Sequence, residues 1–235
     1  MICLENTLGG TILPLQAAQE ILEWARAQDP KIPLHLDGAR LWDAVAASAG
    51  SLKDYCSCFD SVSLCFSKGL GAPVGSIIVG KRAFIEKARH FRKSIGGGLR
   101  QAGVIAAAAR ISVETYLTGN LNRSQEMARL VADAWEARGG KLLKPRETCM
   151  VWLDLAGRDV SQESWIKAAL QAGVTVLGPR VVCHYQNSRE AVGRLVKAMD
   201  IVLDANAFHT VNGDSTVSGE AAEHKAENLL EQEAS

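Results

Sequence analysis

Two short apolar runs each end in an ionisable side chain followed by glycine: Leu34-His35-Leu36-Asp37-Gly38 and Leu64-Cys65-Phe66-Ser67-Lys68-Gly69. If both are strands of an open α/β sheet, the acid and the amine stand at carboxyl ends, where such sheets bind ligands. One helix and a loop separate the two runs, so neighbouring or next-neighbouring places in the sheet are open to them. A carboxylate and an amine facing one crevice suit an aldehyde cofactor with a basic ring nitrogen. The lysine would form a Schiff base with the aldehyde, and the acid would keep the ring nitrogen protonated to accept carbanion electrons. A strand-end aspartate capping a helix, beside a solvated turn lysine, would leave the same pattern.

The elements around these residues alternate. Ile2 to Leu4 reads as a strand, and Pro14 opens a helix with Leu15, Ala18, Leu22 and Ala25 on one face. Leu34 to Leu36 is a short strand ending at Asp37-Gly38, followed by a helix that packs Leu41 and Val45 inward. Val62, Leu64 and Phe66 alternate with Ser61, Ser63 and Cys65, the period of a half-buried strand, which stops at Ser67-Lys68-Gly69. Gly69-Leu70-Gly71-Ala72-Pro73-Val74-Gly75 must be a loop, and Ser76 to Val79 a further strand. A basic helix over 81–93, a Gly96-Gly97-Gly98 break and an Ala-rich helix over 99–117 complete the pattern, which predicts βαβ units and a mainly parallel sheet. The second part differs: a helix from Asn120 to Arg138, a strand Cys149–Leu155, a helix from Ser161 to Ala172, strands Val174–Leu177 and Val181–His184, and a helix from Ser188 to near Leu203. The reading is α/β for residues 1–118, a small α+β unit over 119–205 with a hinge at Thr118-Gly119-Asn120, and a tail over 206–235.

Composition narrows the class. The 235 residues are 47% hydrophobic and carry 26 basic against 26 acidic side chains, which excludes a wholly disordered chain. No stretch approaches the roughly 20 apolar residues of a membrane helix. No secretory leader is expected before Ile2-Cys3-Leu4, and the six cysteines form no Cys-x-x-Cys pair, so a reducing cytoplasm and no metal site are expected. The balanced charge hides an acidic tail, where Asp214, Glu220, Glu223, Glu227, Glu231 and Glu233 stand against Lys225, and this segment is expected to be disordered. The basic stretch 81–100 lacks interleaved aromatics and a binding motif, so a solvated helix face and subunit contacts are expected rather than nucleic acid.

Four stretches, Leu4-Glu5-Asn6-Thr7, His35-Leu36-Asp37-Gly38-Ala39-Arg40, the lysine segment Leu64 to Gly75 and Gly96-Gly97-Gly98-Leu99-Arg100-Gln101, together carry a resemblance. In this order they resemble the low-specificity threonine aldolases, over roughly residues 2–203. Those are fold-type-I pyridoxal-phosphate enzymes of the β-eliminating lyase superfamily. The resemblance implies Lys68 as the cofactor lysine, Asp37 as partner of the pyridine nitrogen, and Arg40 at the phenolic oxygen and the substrate carboxylate. It also implies Arg100 near the cofactor phosphate and Arg180 gripping the substrate α-carboxylate, where a planar fork suits a carboxylate better than an ammonium does. Ser67 is expected to be a further cofactor contact, and His184 to be structural. His35 shares the strand face of Asp37 and either orients it or is a satisfied core histidine. Asn6 reaches the ring oxygen or serves a turn. Leu8 stands where the family often has histidine.

The implied reaction is retro-aldol cleavage of a β-hydroxy-α-amino acid, threonine or allo-threonine, to glycine and an aldehyde, in a homo-oligomer. Ile2-Cys3-Leu4 already reads as a strand, so the family's phosphate loop, stacking aromatic and further histidine are expected before it. On that reading only part of the sheet is present, and this chain alone is expected to turn over poorly or not at all. Two alternatives stand beside this reading. One is a non-catalytic remnant that pairs with a full-length enzyme; the other is the same fold performing β-elimination or racemisation.

Overall fold

Side chains alternate across a strand, so a period-two sequence gives a sheet one apolar and one polar face. The structure, a computed structural model, describes residues 1–116 and 118–211, with side chains described through Asp204. Strands β1 (Ile2–Glu5), β2 (Leu34–Gly38), β3 (Ser61–Cys65) and β4 (Ser76–Gly80) form one sheet in the order β1-β2-β3-β4. β1–β2 and β2–β3 are parallel and β3–β4 antiparallel, so the sheet is mainly parallel as expected. Leu34, Leu36, Val62 and Leu64 are buried in the first core with Ala18 and Ala25 of α1 (Leu15–Ala27) and Leu41 and Ala44 of α2 (Leu41–Ala46). His35, Asp37, Ser61, Ser63 and Cys65 occupy the other face. Gly38 follows Asp37 because a Cβ there would lie 2.8 Å from the Ser63 carbonyl oxygen, which no side chain permits.

α3 (Leu52–Ser57) falls in a stretch to which the sequence reading gave no element. It is short, and a capping box starts it: the Asp54 N–H donates to Ser51 Oγ and the Ser51 N–H to Asp54 Oδ2. α4 (Arg82–Ser94) and α5 (Gly103–Tyr116) follow. α5 begins later than residue 99, with Ala106 N–H to Ala102 O as its first bond, so Leu99 to Gln101 belong to the glycine-led loop. α4 has no buried residue, and Phe91, Ile95, Val104 and Ile111 of this layer and its connection are exposed.

α6 (Asn120–Glu136), β5 (Met150–Trp152), α7 (Gln162–Gln171), β6 (Arg180–Val182) and α8 (Arg189–Val211) make up the rest. Their core is built on Met127, Val131, Trp135, Val151, Leu153, Trp165, Leu195 and Met199. α6 joins both cores, since Leu121 in its first turn packs in the first one. β5 and β6 are antiparallel, with Val151 opposite Val181.

Several expectations are corrected. Val174–Leu177 is not a strand: Val174 N–H bonds back to Ala169 O, Leu177 is exposed, and a β-branched run becomes a strand only beside a partner. The strand expected over Cys149–Leu155 pairs with β6 only over Met150–Trp152, Leu153 bridges to Leu142 instead, and Leu155 already has helical backbone angles. Arg180 lies within β6 rather than before it. α8 continues past Leu203 to Val211, because no glycine or proline stops it. Of the tail expected over 206–235, residues 206–211 continue α8, and the rest lies outside the described residues. No described helix is long and apolar enough to cross a membrane.

Candidate active site

The polar face of the sheet ends in a row of register partners, Glu5 beside Asp37 and Asp37 beside Ser63. Asp37 is exposed at the carboxyl end of β2, and two donors fix its Oδ1: the Ala39 N–H at 3.0 Å and the Ser63 hydroxyl at 3.5 Å. Oδ2 accepts no hydrogen bond among the described residues. One step back along the same face, His35 Nδ1 and Ser61 Oγ are 2.8 Å apart, so His35 is bonded across to β3 rather than to Asp37. A cleft of about 480 Å³ flanks the row, lined by Ser63, Ser76 and Ile78 with Arg89 and Arg92 of α4.

β3 leaves the sheet at this same edge and turns into the loop that carries Lys68. Three backbone bonds close the loop: Gly71 N–H to Lys68 O, Ala72 N–H to Phe66 O and Phe66 N–H to Gly75 O. Gly71 has φ 70°, the left-handed region that favours glycine, and a Cβ there would lie 2.6 Å from the Tyr185 hydroxyl. Lys68 is exposed, and so is Ser67, whose Oγ lies 3.1 Å from Cys65 Sγ. An exposed amine, an exposed carboxylate with one oxygen free, and hydroxyls on the same edge fit an aldehyde cofactor with a basic ring.

Arg40, half-buried at the N-cap of α2, follows the carboxyl end of β2 by two residues. Arg180 comes from the second core. Its guanidinium lies 5.8 Å from the centre of the Trp152 ring, and the Trp152 indole N–H donates to Gly9 O at 2.8 Å. The Thr148 hydroxyl donates to Gly10 O, and the Ile12 N–H donates to the Glu147 carboxylate. The loop after β1 is thereby clamped to the strand pair that carries Arg180, which ties the arginine to the working edge of the sheet.

Other residues are placed apart or committed. Arg100 is exposed between α4 and α5, with no hydrogen bond or ion pair among the described residues. Asn6 is fully buried and serves its own turn, its Oδ1 accepting the Leu13 N–H. His184 packs its ring on Tyr185, and its Nδ1 accepts the Gln186 N–H. Leu8 is exposed.

Sequence reasoning missed Asp43. It lies in α2 beneath the lysine loop, 1% exposed, and Oδ1 has no hydrogen-bond partner among the described residues. Burial pushes its carboxyl above the usual range, while the Cys149 thiol, Arg40 and His184 pull it back. The Cys149 thiol is in turn pushed far up by its own burial and by the carboxylate. The one signal was a lone acid within the apolar run Leu41-Trp42-Asp43-Ala44-Val45.

Comparison with known proteins adds to this geometry. Residues 1–157 match the family model described as beta-eliminating lyase. Aldolase vrtJ of Penicillium aethiopicum is 58% identical over 205 residues, covering 87% of this chain and 52% of that protein. The low-specificity L-threonine aldolase of Candida albicans is 42% identical over 215 residues, 91% of this chain and 57% of the relative. The structure of Leishmania major threonine aldolase superposes with a TM-score of 0.67 at 19% identity, covering 86% of this chain and 60% of that one, a likeness of fold. The chain spans about half the length of the curated relatives it matches.

Proposed function

The chain belongs to the beta-eliminating lyase family, and from that premise we propose that it serves pyridoxal-phosphate-dependent cleavage of a β-hydroxy-α-amino acid. The substrates in this reading are threonine or allo-threonine, and the products glycine and an aldehyde. One observation carries it: the register that sets Asp37 beside Ser63 on the open face, at the edge from which the Lys68 loop departs. When bound, pyridoxal phosphate would supply an aldehyde and a ring that takes up the electrons left by Cα–Cβ cleavage.

The protein's own groups divide the work. Lys68 offers the amine that would hold the aldehyde. Asp37 is oriented through Oδ1 by the Ala39 N–H and the Ser63 hydroxyl, so Oδ2 is left to hold a proton on the ring nitrogen. Arg180, steadied over Trp152, would take the substrate α-carboxylate as a two-pronged fork. Arg40 would stand between that carboxylate and the phenolic oxygen, Ser67 would touch the ring, and Arg100 would approach the phosphate, from a neighbouring subunit of a homo-oligomer. We read residues 1–118 as the cofactor-binding unit and 119–205 as the substrate-gripping one, in a cytoplasmic enzyme. Their separate cores support that division.

The test is chemical labelling. Purified protein is incubated with pyridoxal phosphate, reduced with borohydride and mapped by peptide mass. Irreversible label on Lys68 is expected, and label on another lysine with Lys68 unmodified overturns the assignment. Products then separate the reactions: glycine and an aldehyde from threonine support aldol cleavage. Pyruvate and ammonia from serine would instead mean β-elimination, and inversion of alanine racemisation.

A further inference from the structure

Asp43 lies directly under the lysine loop. A Cβ on Gly69, the residue after Lys68, would lie 3.2 and 3.4 Å from the two carboxylate oxygens, so the loop backbone rests directly on that carboxylate. The same Cβ would lie 2.6 Å from Leu121 Cδ2 in the first turn of α6, which leaves the backbone no room to shift that way. The Cys149 thiol just before β5 bonds to the carboxylate, Arg40 at the N-cap of α2 and His184 just after β6 act on it electrostatically, and Tyr116 of α5 has its hydroxyl pushed up by burial and then by this carboxylate. His184 also lies against Gly71, with ring atoms 3.3 and 3.4 Å from a Cβ placed there. Burying a carboxylate with an oxygen unpartnered opposes folding, so stability is not what this group supplies.

We propose that Asp43 is the positioning residue of the active edge: its buried carboxylate seats the backbone at Gly69, which fixes where Lys68 projects. The proposal rests on reading Lys68 as the cofactor lysine. It adds a residue that touches neither cofactor nor substrate and acts through the loop.

Asp43→Asn keeps the shape and removes the charge. Melting at neutral pH should be unchanged or higher, because an amide is cheaper to bury than a charged carboxylate. Amide hydrogen exchange in the cofactor-free protein should accelerate in peptides covering 66–75 and stay unchanged in α7 and α8. Borohydride-trapped labelling of Lys68 should slow by about tenfold to a hundredfold, the scale of small displacements of a reacting group. A merely structural residue would lower the melting temperature and raise exchange throughout, and that result overturns the proposal. So does Asp43→Asn with exchange and labelling both unchanged. Should Asp43→Asn not fold, Asp43→Ala removes the same contact from the α2 side and leaves Gly69 and Leu121 untouched. It should raise exchange in 66–75 and slow the labelling, and no change in either overturns the proposal. If the unaltered protein shows no label on Lys68, the cofactor reading fails, while the exchange arm still reads the seat at Gly69.

Discussion

The two faces of the four-stranded sheet are made from interleaved residues of the same strands, yet they answer to different physics. Leu34, Leu36, Val62 and Leu64 are buried against helices on one side. His35, Asp37, Ser61 and Ser63 stand on the other, held by side-chain hydrogen bonds from strand to strand. The apolar face is fixed by area removed from water and tolerates no loss of volume. The polar face is fixed by pairwise geometry, and its members contribute little to folding. One sheet can therefore change its chemistry without changing its fold, because alternate residues carry the two tasks.

The sharpest way to break that contrast is Leu36→Ala. Leu36 is fully buried, and its truncation should cost about 2–5 kcal/mol in a urea melt. A loss under about 1 kcal/mol would mean the helices repack freely and the face is not a rigid core. Asp37→Asn should do the reverse in a form of the enzyme that turns over. Stability should hold within about 0.5 kcal/mol, the range of surface changes, while turnover falls by about 10²–10³, roughly 3–4 kcal/mol in barrier. Near-normal turnover would remove Asp37 from the mechanism.

Asp60, just before β3, sharpens the comparison from the opposite edge of the sheet. Its carboxylate accepts from Arg26 at 2.7 Å and from the Leu34 N–H at 2.9 Å, and the Arg26 hydrogen bond holds its carboxyl below the usual range. Asp60→Asn should cost about 1–2 kcal/mol, given that the pair is partly solvated. A carboxyl with a lowered pKa in the folded state stabilises above its unfolded value and loses that contribution as pH falls through the folded one. The acid limb of the stability profile should therefore flatten in the variant, and an unchanged limb would assign acid sensitivity elsewhere. Ser63→Ala should be the mildest, within about 0.5 kcal/mol by melting. A modest fall in turnover should accompany it, since its 3.5 Å bond only helps to orient Asp37.

Much of the fold was legible because the signals were local and redundant. Val62 and Leu64 against Ser61 and Ser63 give both the strand and its buried face, and the glycines around Lys68 can only be a loop. What the sequence hid depended on partners. Val174–Leu177 has strand composition and no neighbouring strand. α3 rests on a capping box in a stretch too short for periodicity, and Arg180 acquires its position through Trp152 and Gly9, distant in the chain. Asp43 is a lone acid in the apolar run of a short helix, and only the loop folded over it gives it a place at the site.

The clamp between residues 9–12 and the segment 147–152 has a mechanical consequence. With α6 alone, the unit carrying Arg180 would hang like a door from one post. The bonds from Trp152 to Gly9, from Thr148 to Gly10 and from Ile12 to Glu147 add a second post on the far side. A span on two supports resists swinging and permits only bowing between them. Any movement of Arg180 relative to the sheet would then be a small flexure, felt at the end of β1.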